Sequence, residues 1–370
     1  MQQKGVPFFS FDHTSSLIRA EIKQAFNDFF ESQWYILGNK LTEFETEYAR
    51  FNKTQYCIGV ANGLDALHIA LKTLNIGPGD EVIVPSNTFV ATWLAASYTG
   101  TTIVPVEPDE ATYNIDPTKI EAAITAKTKA IIPVHLYGQP CEMDRIMAIA
   151  GRHNLFVVED NAQAHSATYN GKLTGSFGNI NATSFYPTKN FGALGDAGAL
   201  TTDNGALDKK ARLLRNYGSA EKYQHEVVGF NSRLDEVQAA FLSVKLKYLD
   251  ILTKQRKDIA AIYNQNLKSI DDIILPYTAP LAGHVYHIYA IHTSKRDALQ
   301  QYLKDKGIGT LIHYPTPPHL QQAYQNLGYK KGDFPIAEKL AETTLSLPLF
   351  PGMETGQIEE VISAIRSFYE

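Results

Sequence analysis

Between residues 55 and 160 the chain alternates short β-branched runs with amphipathic stretches, and no other feature narrows its possible folds as much. Tyr56-Cys-Ile-Gly-Val-Ala61 reads as a strand, after which Leu64, Leu67, Leu71 and Leu74 fall on one helical face. The turn Gly77-Pro-Gly-Asp80 leads into a second strand, Glu81-Val-Ile-Val-Pro85. Thr102–Val106, Ala130–Val134 and Phe156–Glu159 continue the series, with a helical stretch from Met143 to His153 before the last. Strands separated by helices need right-handed crossovers, which build a largely parallel sheet covered on both faces. Ligands on such sheets bind beyond the carboxyl ends of the strands. Asn62-Gly63, Ser86 to Phe89 and Asp160 to Gln163 all fall at those ends.

Leu234, Val237, Phe241, Val244 and Tyr248 form an apolar stripe at helical spacing, which fits a helix packed on the core or on a partner subunit. Beyond residue 252 longer polar helices mix with short strands such as His287-Ile-Tyr-Ala-Ile-His292, and a proline-rich turn runs from His313 to His319. A chain of 370 residues is long enough for two domains. We therefore expect an α/β large domain over 1–252, with a mixed, mostly parallel sheet, and a smaller α+β domain over 253–370.

The net charge of −5 and the scattered basic residues offer no field for nucleic acid or an anionic membrane, and neither is expected as a partner. Cys57 and Cys141 make neither a disulfide framework nor a metal motif, which fits a reducing compartment; no metal is expected. The N-terminus lacks the apolar core of a signal peptide, and no segment reaches the apolar length of a membrane span. A soluble cytoplasmic protein is the expectation.

The chemistry centres on Thr183-Ser-Phe-Tyr-Pro-Thr-Lys189-Asn-Phe-Gly and, about thirty residues upstream, Phe156-Val-Val-Glu-Asp160-Asn-Ala-Gln163-Ala-His165. A lone lysine is ordinarily a solvated surface group. Here Ser184 lies five residues before it, and the small turn Gly195 to Gly198 follows. Asp160 closes an apolar run, where a bare carboxylate is costly unless a cation meets it. A strand ending in an acid and a strand ending in a loop lysine together suggest pyridoxal 5'-phosphate (PLP). Lys189 would hold the cofactor as a Schiff base, and Asp160 would keep its pyridine nitrogen protonated. Asn62 is a good N-cap for the helix after the first strand, and Gly63 lets the backbone approach a phosphate. An Asn-Gly turn of this kind is also common without a ligand. Phe89 either stacks on the cofactor ring or belongs to the core. Gln163 is placed to reach the ring hydroxyl.

At these residues the chain resembles the DegT/StrS-type sugar aminotransferases, which have the aspartate aminotransferase fold (PLP-dependent transferase fold type I). The likeness runs from Trp34-Tyr-Ile-Leu-Gly38 to Leu345-Ser-Leu-Pro-Leu-Phe350. Glu159-Asp-Asn-Ala-Gln-Ala-His165, Ser184-Phe-Tyr-Pro-Thr-Lys189 and Gly229-Phe-Asn-Ser-Arg-Leu-Asp-Glu-Val-Gln238 carry it. The resemblance implies that Lys189 is the catalytic lysine and Asp160 the pyridinium partner. Gln163 would contact the ring hydroxyl and Ser184 the phosphate. Asn231 would reach the phosphate of the neighbouring subunit's cofactor, which implies a homodimer with a composite site. Many members carry Ser or Thr where this chain has Leu64, so the phosphate would rest on backbone N–H groups, Ser184 and Asn231. Some relatives that remove a sugar hydroxyl have His in place of the lysine; this chain keeps Lys189.

The stretches Asn216-Tyr-Gly-Ser-Ala-Glu-Lys222-Tyr223-Gln-His225 and His313-Tyr314-Pro-Thr-Pro-Pro-His319 resemble one subgroup, the TDP-3-keto-6-deoxyhexose 3-aminotransferases of the FdtB and QdtB type. By that likeness Tyr186, His313 and Tyr314 line the hexose pocket, and Lys222, with Tyr223 or His225, faces the nucleotide diphosphate. The implied reaction is ping-pong transamination from glutamate to C3 of the keto sugar. Amination at C4, a UDP-sugar substrate, a non-catalytic regulator that binds PLP or sugar, and a desulfurase using Cys141 are the alternatives. Lys222 in a polar loop is also explained by simple solvation.

Overall fold

The structure is a computed structural model and describes residues 5–370. Two helices come first, α1 (Asp12–Ser32) and α2 (Asn39–Asn52). The large domain then runs β1 (Tyr56–Val60), α3 (Gly63–Thr73), β2 (Glu81–Pro85), α4 (Val90–Thr99), β3 (Thr102–Val106), β4 (Thr128–Ile131), α5 (Met143–His153), β5 (Phe156–Val157), β6 (Asn181–Ser184), β7 (Gly198–Thr202), α6 (Gly205–Arg215) and α7 (Glu236–Leu246). β3, β2, β4 and β5 pair in that order and in parallel. β1, β7 and β6 form a second group with β7 antiparallel to both neighbours. Asp160 joins the groups through parallel bridges to Val134 and Ala182, giving one mostly parallel sheet. Val82, Ile83 and Val84 of β2 are all buried, as a strand covered on both faces requires.

The expected strand Ala130–Val134 is regular only to Ile131, because Pro133 cannot donate to a ladder. Its backbone still pairs onward: Asp160 N–H donates to Pro133 O at 2.9 Å. This carries the β5 strand up to Asp160 and delivers the acid to the sheet's carboxyl edge. The Leu234–Tyr248 stripe is not one helix. Val237, Phe241 and Val244 lie in α7, Leu234 sits just ahead of it, and Tyr248 lies in the turn before α8 (Leu249–Leu267).

The expected domain boundary at 252/253 falls inside α8. Beyond it lie β8 (Tyr289–His292), α9 (Arg296–Asp305), α10 (Pro335–Thr343), β9 (Thr344–Leu347), antiparallel to β8, and α11 (Thr355–Tyr369). Their core includes Tyr263, Leu299, Leu303 and Ile362, and it takes in Val6 from the N-terminal segment. Glu107, which follows β3, ties the two parts together. Pro335 opens α10 without an N–H, and the next two amides, Ile336 and Ala337, donate to the Glu107 carboxylate at 2.8 and 3.0 Å.

Three polar residues of the Gly229–Gln238 motif serve this architecture. Glu236 accepts the Gly38, Lys40 and Leu41 amides at the start of α2, at 2.7, 2.9 and 3.0 Å. Gln238 accepts Leu194 N–H at 2.9 Å, and Ser232 Oγ accepts Ala61 N–H at 3.2 Å. No described helix is long and apolar enough to cross a membrane.

Candidate active site

The ends of β1 and β6 and the paired backbone of β5 open on one cavity of about 570 Å³. On one wall α3 begins directly after β1. Asn62 caps it, its Oδ1 accepting Asp65 N–H at 2.8 Å. The Gly63 and Leu64 N–H groups have no intrahelical partner, and both residues line the cavity. A Cβ on Gly63 would sit 2.5 Å from Ser184 Cβ, so only glycine lets β6 and the helix start close together. The result is an anion cradle of amide N–H groups beside the Ser184 hydroxyl. That hydroxyl already accepts Tyr186 N–H at 3.2 Å.

Asp160, 6% exposed, also lines the cavity. Thr92 Oγ1 donates to its Oδ2 at 2.9 Å, and Ala162 N–H donates to Oδ1 at 3.2 Å. Burial raises its pKa above the ordinary carboxylate range; those two bonds and the nearby Lys189 and His135 charges oppose the rise. Lys189 follows β6 and is half-buried, its backbone N–H donating to Tyr186 O at 2.9 Å. Burial pushes its ammonium pKa down to about 8, while the Asp160 charge works the other way.

Gln163 is buried, with Oε1 accepting Tyr137 N–H at 2.6 Å and Nε2 donating to the Tyr314 hydroxyl at 3.0 Å. Phe89 is 51% exposed, which rules out a core role; its ring lies 5.3 Å from that of Tyr314. Tyr186, His313 and Tyr314 line the same cavity. His313 shares a hydrogen bond with Ser346 Oγ at 2.8 Å, and burial, then the Lys189 charge, lowers its pKa to about 4, leaving a neutral imidazole.

Eleven of the residues singled out in the sequence thus share one cavity: Asn62, Gly63, Leu64, Phe89, Asp160, Gln163, Ser184, Tyr186, Lys189, His313 and Tyr314. Four do not join it within the chain. Asn231 is exposed and pairs its backbone with Asn216. Lys222, Tyr223 and His225 lie on or beside the tip of an exposed hairpin, with Lys222 Nζ 5.1 Å from the Tyr223 ring centre and His225 Nδ1 2.9 Å from Tyr217 O.

The sequence reading missed His287 in the cavity wall and Thr92 behind Asp160, and within Ser86–Phe89 it gave a role to Phe89 but none to Thr88, which also lines the cavity. Burial drives the His287 pKa well below the usual imidazole value, and its Nδ1 lies 2.8 Å from Asn190 Oδ1. A histidine ahead of a short strand, a threonine just before a helix and another in that helix's first turn carry no local sign of a site.

The arrangement fits PLP: a buried acid in need of a cation, a lysine amine of lowered pKa, a cradle of free amides and an exposed aromatic face. Cys57 and Cys141 are buried and lie outside the cavity, with thiol pKa values pushed well up by burial. A desulfurase therefore lacks its reactive loop cysteine. No cluster of side chains able to hold a metal occurs among the described residues.

The model of the DegT/DnrJ/EryC1/StrS aminotransferase family matches residues 16–366. The chain is 49% identical to the dTDP-3-amino-3,6-dideoxy-alpha-D-galactopyranose transaminase of Aneurinibacillus thermoaerophilus, across 98% of this chain and 99% of that protein. It is 47% identical to the dTDP-3-amino-3,4,6-trideoxy-alpha-D-glucose transaminase of Streptomyces venezuelae, across 99% of this chain and 96% of that one. The crystal structure of S. venezuelae DesV in complex with a ketimine intermediate matches with a TM-score of 0.98 at 46% identity, covering 100% of this chain and 99% of that chain.

Proposed function

The chain belongs to the DegT/DnrJ/EryC1/StrS aminotransferase family, and we propose that it moves the amino group of glutamate to C3 of a TDP-3-keto-6-deoxyhexose. The product is a TDP-3-amino-3,6-dideoxyhexose. One observation carries this reading: Lys189, Asp160 and the start of α3 open on a single cavity together with Tyr186, His313 and Tyr314. The two relatives named above support C3, since both are named for sugars aminated there, and they differ at C4.

PLP, when bound, supplies an electron-poor ring that accepts charge from the carbon being deprotonated. Asp160, already oriented by Thr92 and Ala162, meets the ring nitrogen. The Gly63 and Leu64 amides and the Ser184 hydroxyl receive the phosphate, Phe89 covers one ring face, and Gln163 reaches the ring hydroxyl. The Lys189 amine, with a pKa of about 8, has a usable free-base fraction near neutrality. It takes the α-proton from the amino donor and delivers a proton to C3 of the sugar. One site serves both half-reactions, so the kinetics are ping-pong.

In this reading residues 1–252 hold the cofactor, and residues 253–370 bring His313 and Tyr314 against the hexose. The working unit is a homodimer in the cytoplasm. Lys222, with Tyr223 or His225, faces the diphosphate, and Asn231 reaches the neighbouring subunit's phosphate. Their exposure outside their own cavity supports this, as do the exposed Phe26, Phe30 and Trp34, which offer an apolar surface to cover.

The test is an absorption spectrum of the protein with PLP before and after glutamate, then borohydride trapping and peptide mapping. A visible band that glutamate bleaches, with the label on Lys189, is the expected result. Assays with TDP-3-keto and TDP-4-keto hexoses, and with UDP counterparts, then identify the sugar. Turnover of the 4-keto sugar alone overturns the C3 assignment.

A further inference from the structure

Thr92 and Thr88 form a hydrogen-bonded line that ends on Asp160. Thr92 is fully buried in the first turn of α4, and its Oγ1 lies 2.9 Å from Asp160 Oδ2 and 3.0 Å from Thr88 Oγ1. Geometry alone leaves the donor between the two threonines open. The chemistry decides it. An ionised carboxylate only accepts, and Thr92 has a single hydroxyl proton, which therefore goes to Asp160. Thr88 must then donate to Thr92. Thr88 is itself buried and lines the cavity, so the line runs from the cavity wall to the acid.

We infer that Thr92 is a positioning residue for Asp160: its hydroxyl, oriented by Thr88, fixes the carboxylate in one plane and holds it as the anion. With Ala162 N–H on Oδ1 and Thr92 on Oδ2, each oxygen has one donor from the protein and keeps lone-pair capacity toward the cavity. The charged or titratable groups around Asp160 are Lys189 and His135, which favour the anion, and Tyr314 and Cys141, whose own ionisation its charge disfavours. Burial opposes the anion, and a hydrogen bond to the charged form counters burial directly.

This inference rests on the PLP reading. Thr92→Val keeps the shape and removes the hydroxyl, and Thr92→Ser keeps the hydroxyl. For each we would measure the PLP dissociation constant of the apoprotein. We would also follow the Asp160 carboxyl titration by difference infrared spectroscopy, with Asp160→Asn as the reference. Thr92→Val should weaken PLP binding about 10-fold or more and move the carboxyl titration to higher pH, with Thr92→Ser within about 3-fold of wild type. Unchanged binding and titration in Thr92→Val overturn the inference, whereas a wild-type protein that PLP does not label at Lys189 overturns the PLP reading instead. If Thr92→Val does not fold, Thr88→Val decides. It should shift both quantities the same way by about 3-fold, and no shift refutes the line.

Discussion

Gln163 Nε2 donates to the Tyr314 hydroxyl at 3.0 Å, a bond that crosses from the loop after β5 to the C-terminal part of the chain. Tyr137 reinforces the crossing. Its N–H donates to Gln163 Oε1 at 2.6 Å, and its hydroxyl bonds His313 O. Tyr314, proposed to face the sugar, is thus held by Gln163, proposed to face the cofactor. In the proposed reading these directed hydrogen bonds would couple placement of the hexose to that of the ring.

Substitutions in the hexose pocket should separate the two half-reactions. Tyr186→Phe and His313→Ala should each lower kcat/KM for the keto sugar by about 10-fold, the worth of a lost polar contact. Bleaching of the cofactor band by glutamate should change by less than about 3-fold, because the smaller donor does not need those groups. Stopped-flow measurement of each half-reaction checks this. Equal losses in both would remove these residues from sugar recognition.

Lys189→Ala should abolish turnover, lowering it by about 10⁴-fold or more, since the catalytic amine and general base are lost together. PLP should remain bound, but non-covalently, and borohydride should no longer fix it to the chain. Normal turnover in this variant would refute the central assignment.

The pH dependence of Lys189 has a defined sign. Its amine titrates at about 8, so covalent capture of PLP by the apoprotein should accelerate as pH rises through that value. The Asp160 charge raises the lysine pKa, so Asp160→Asn should move the capture midpoint to lower pH, although turnover is impaired. Rapid-mixing absorbance across pH 6 to about 10 would show it, spanning the shifted and unshifted lysine values. A midpoint that stays put would mean the two groups do not sense each other.

Away from the site, Glu45 is 6% exposed and pairs with Arg212 at 2.7 Å and with the buried Arg215, while its Oε1 also accepts Gly59 N–H at 2.8 Å. Glu45→Ala leaves the buried Arg215 charge unmatched and should cost about 3–5 kcal/mol of stability. Urea unfolding, read as a lower midpoint at constant slope, is the measurement.

Many of the residues that line the cavity are legible in the sequence. Strand ends attract ligands, so Asn62, Phe89 and Asp160 stood out by position, and Lys189 stood out through its neighbours. Leu64, the departure from the family pattern, lines the cavity as expected of its position, its amide available to an anion. Other features were invisible. In the Gly229–Gln238 motif only Asn231 carries an expected cofactor role; that Glu236 and Gln238 hold α2 and the Leu194 turn has no local sign. The apolar stripe from Leu234 to Tyr248 concealed a break between two helices, because a short kink leaves the spacing of buried positions nearly unchanged.

The division has a physical cause. Apolar period, turn residues and capping are encoded over a few residues, and they specified the elements, their order and the chemistry at their ends. The Thr92–Asp160 bond joins residues 68 positions apart, and the Gln163–Tyr314 bond joins residues 151 apart. Such pairings depend on how helices and strands pack across the sheet, and periodicity reports only which face of an element is buried, never which residue meets it. Only the tertiary structure decided that Thr92 would stand behind the acid, that His287 would enter the cavity, and that Val6 would join the C-terminal core.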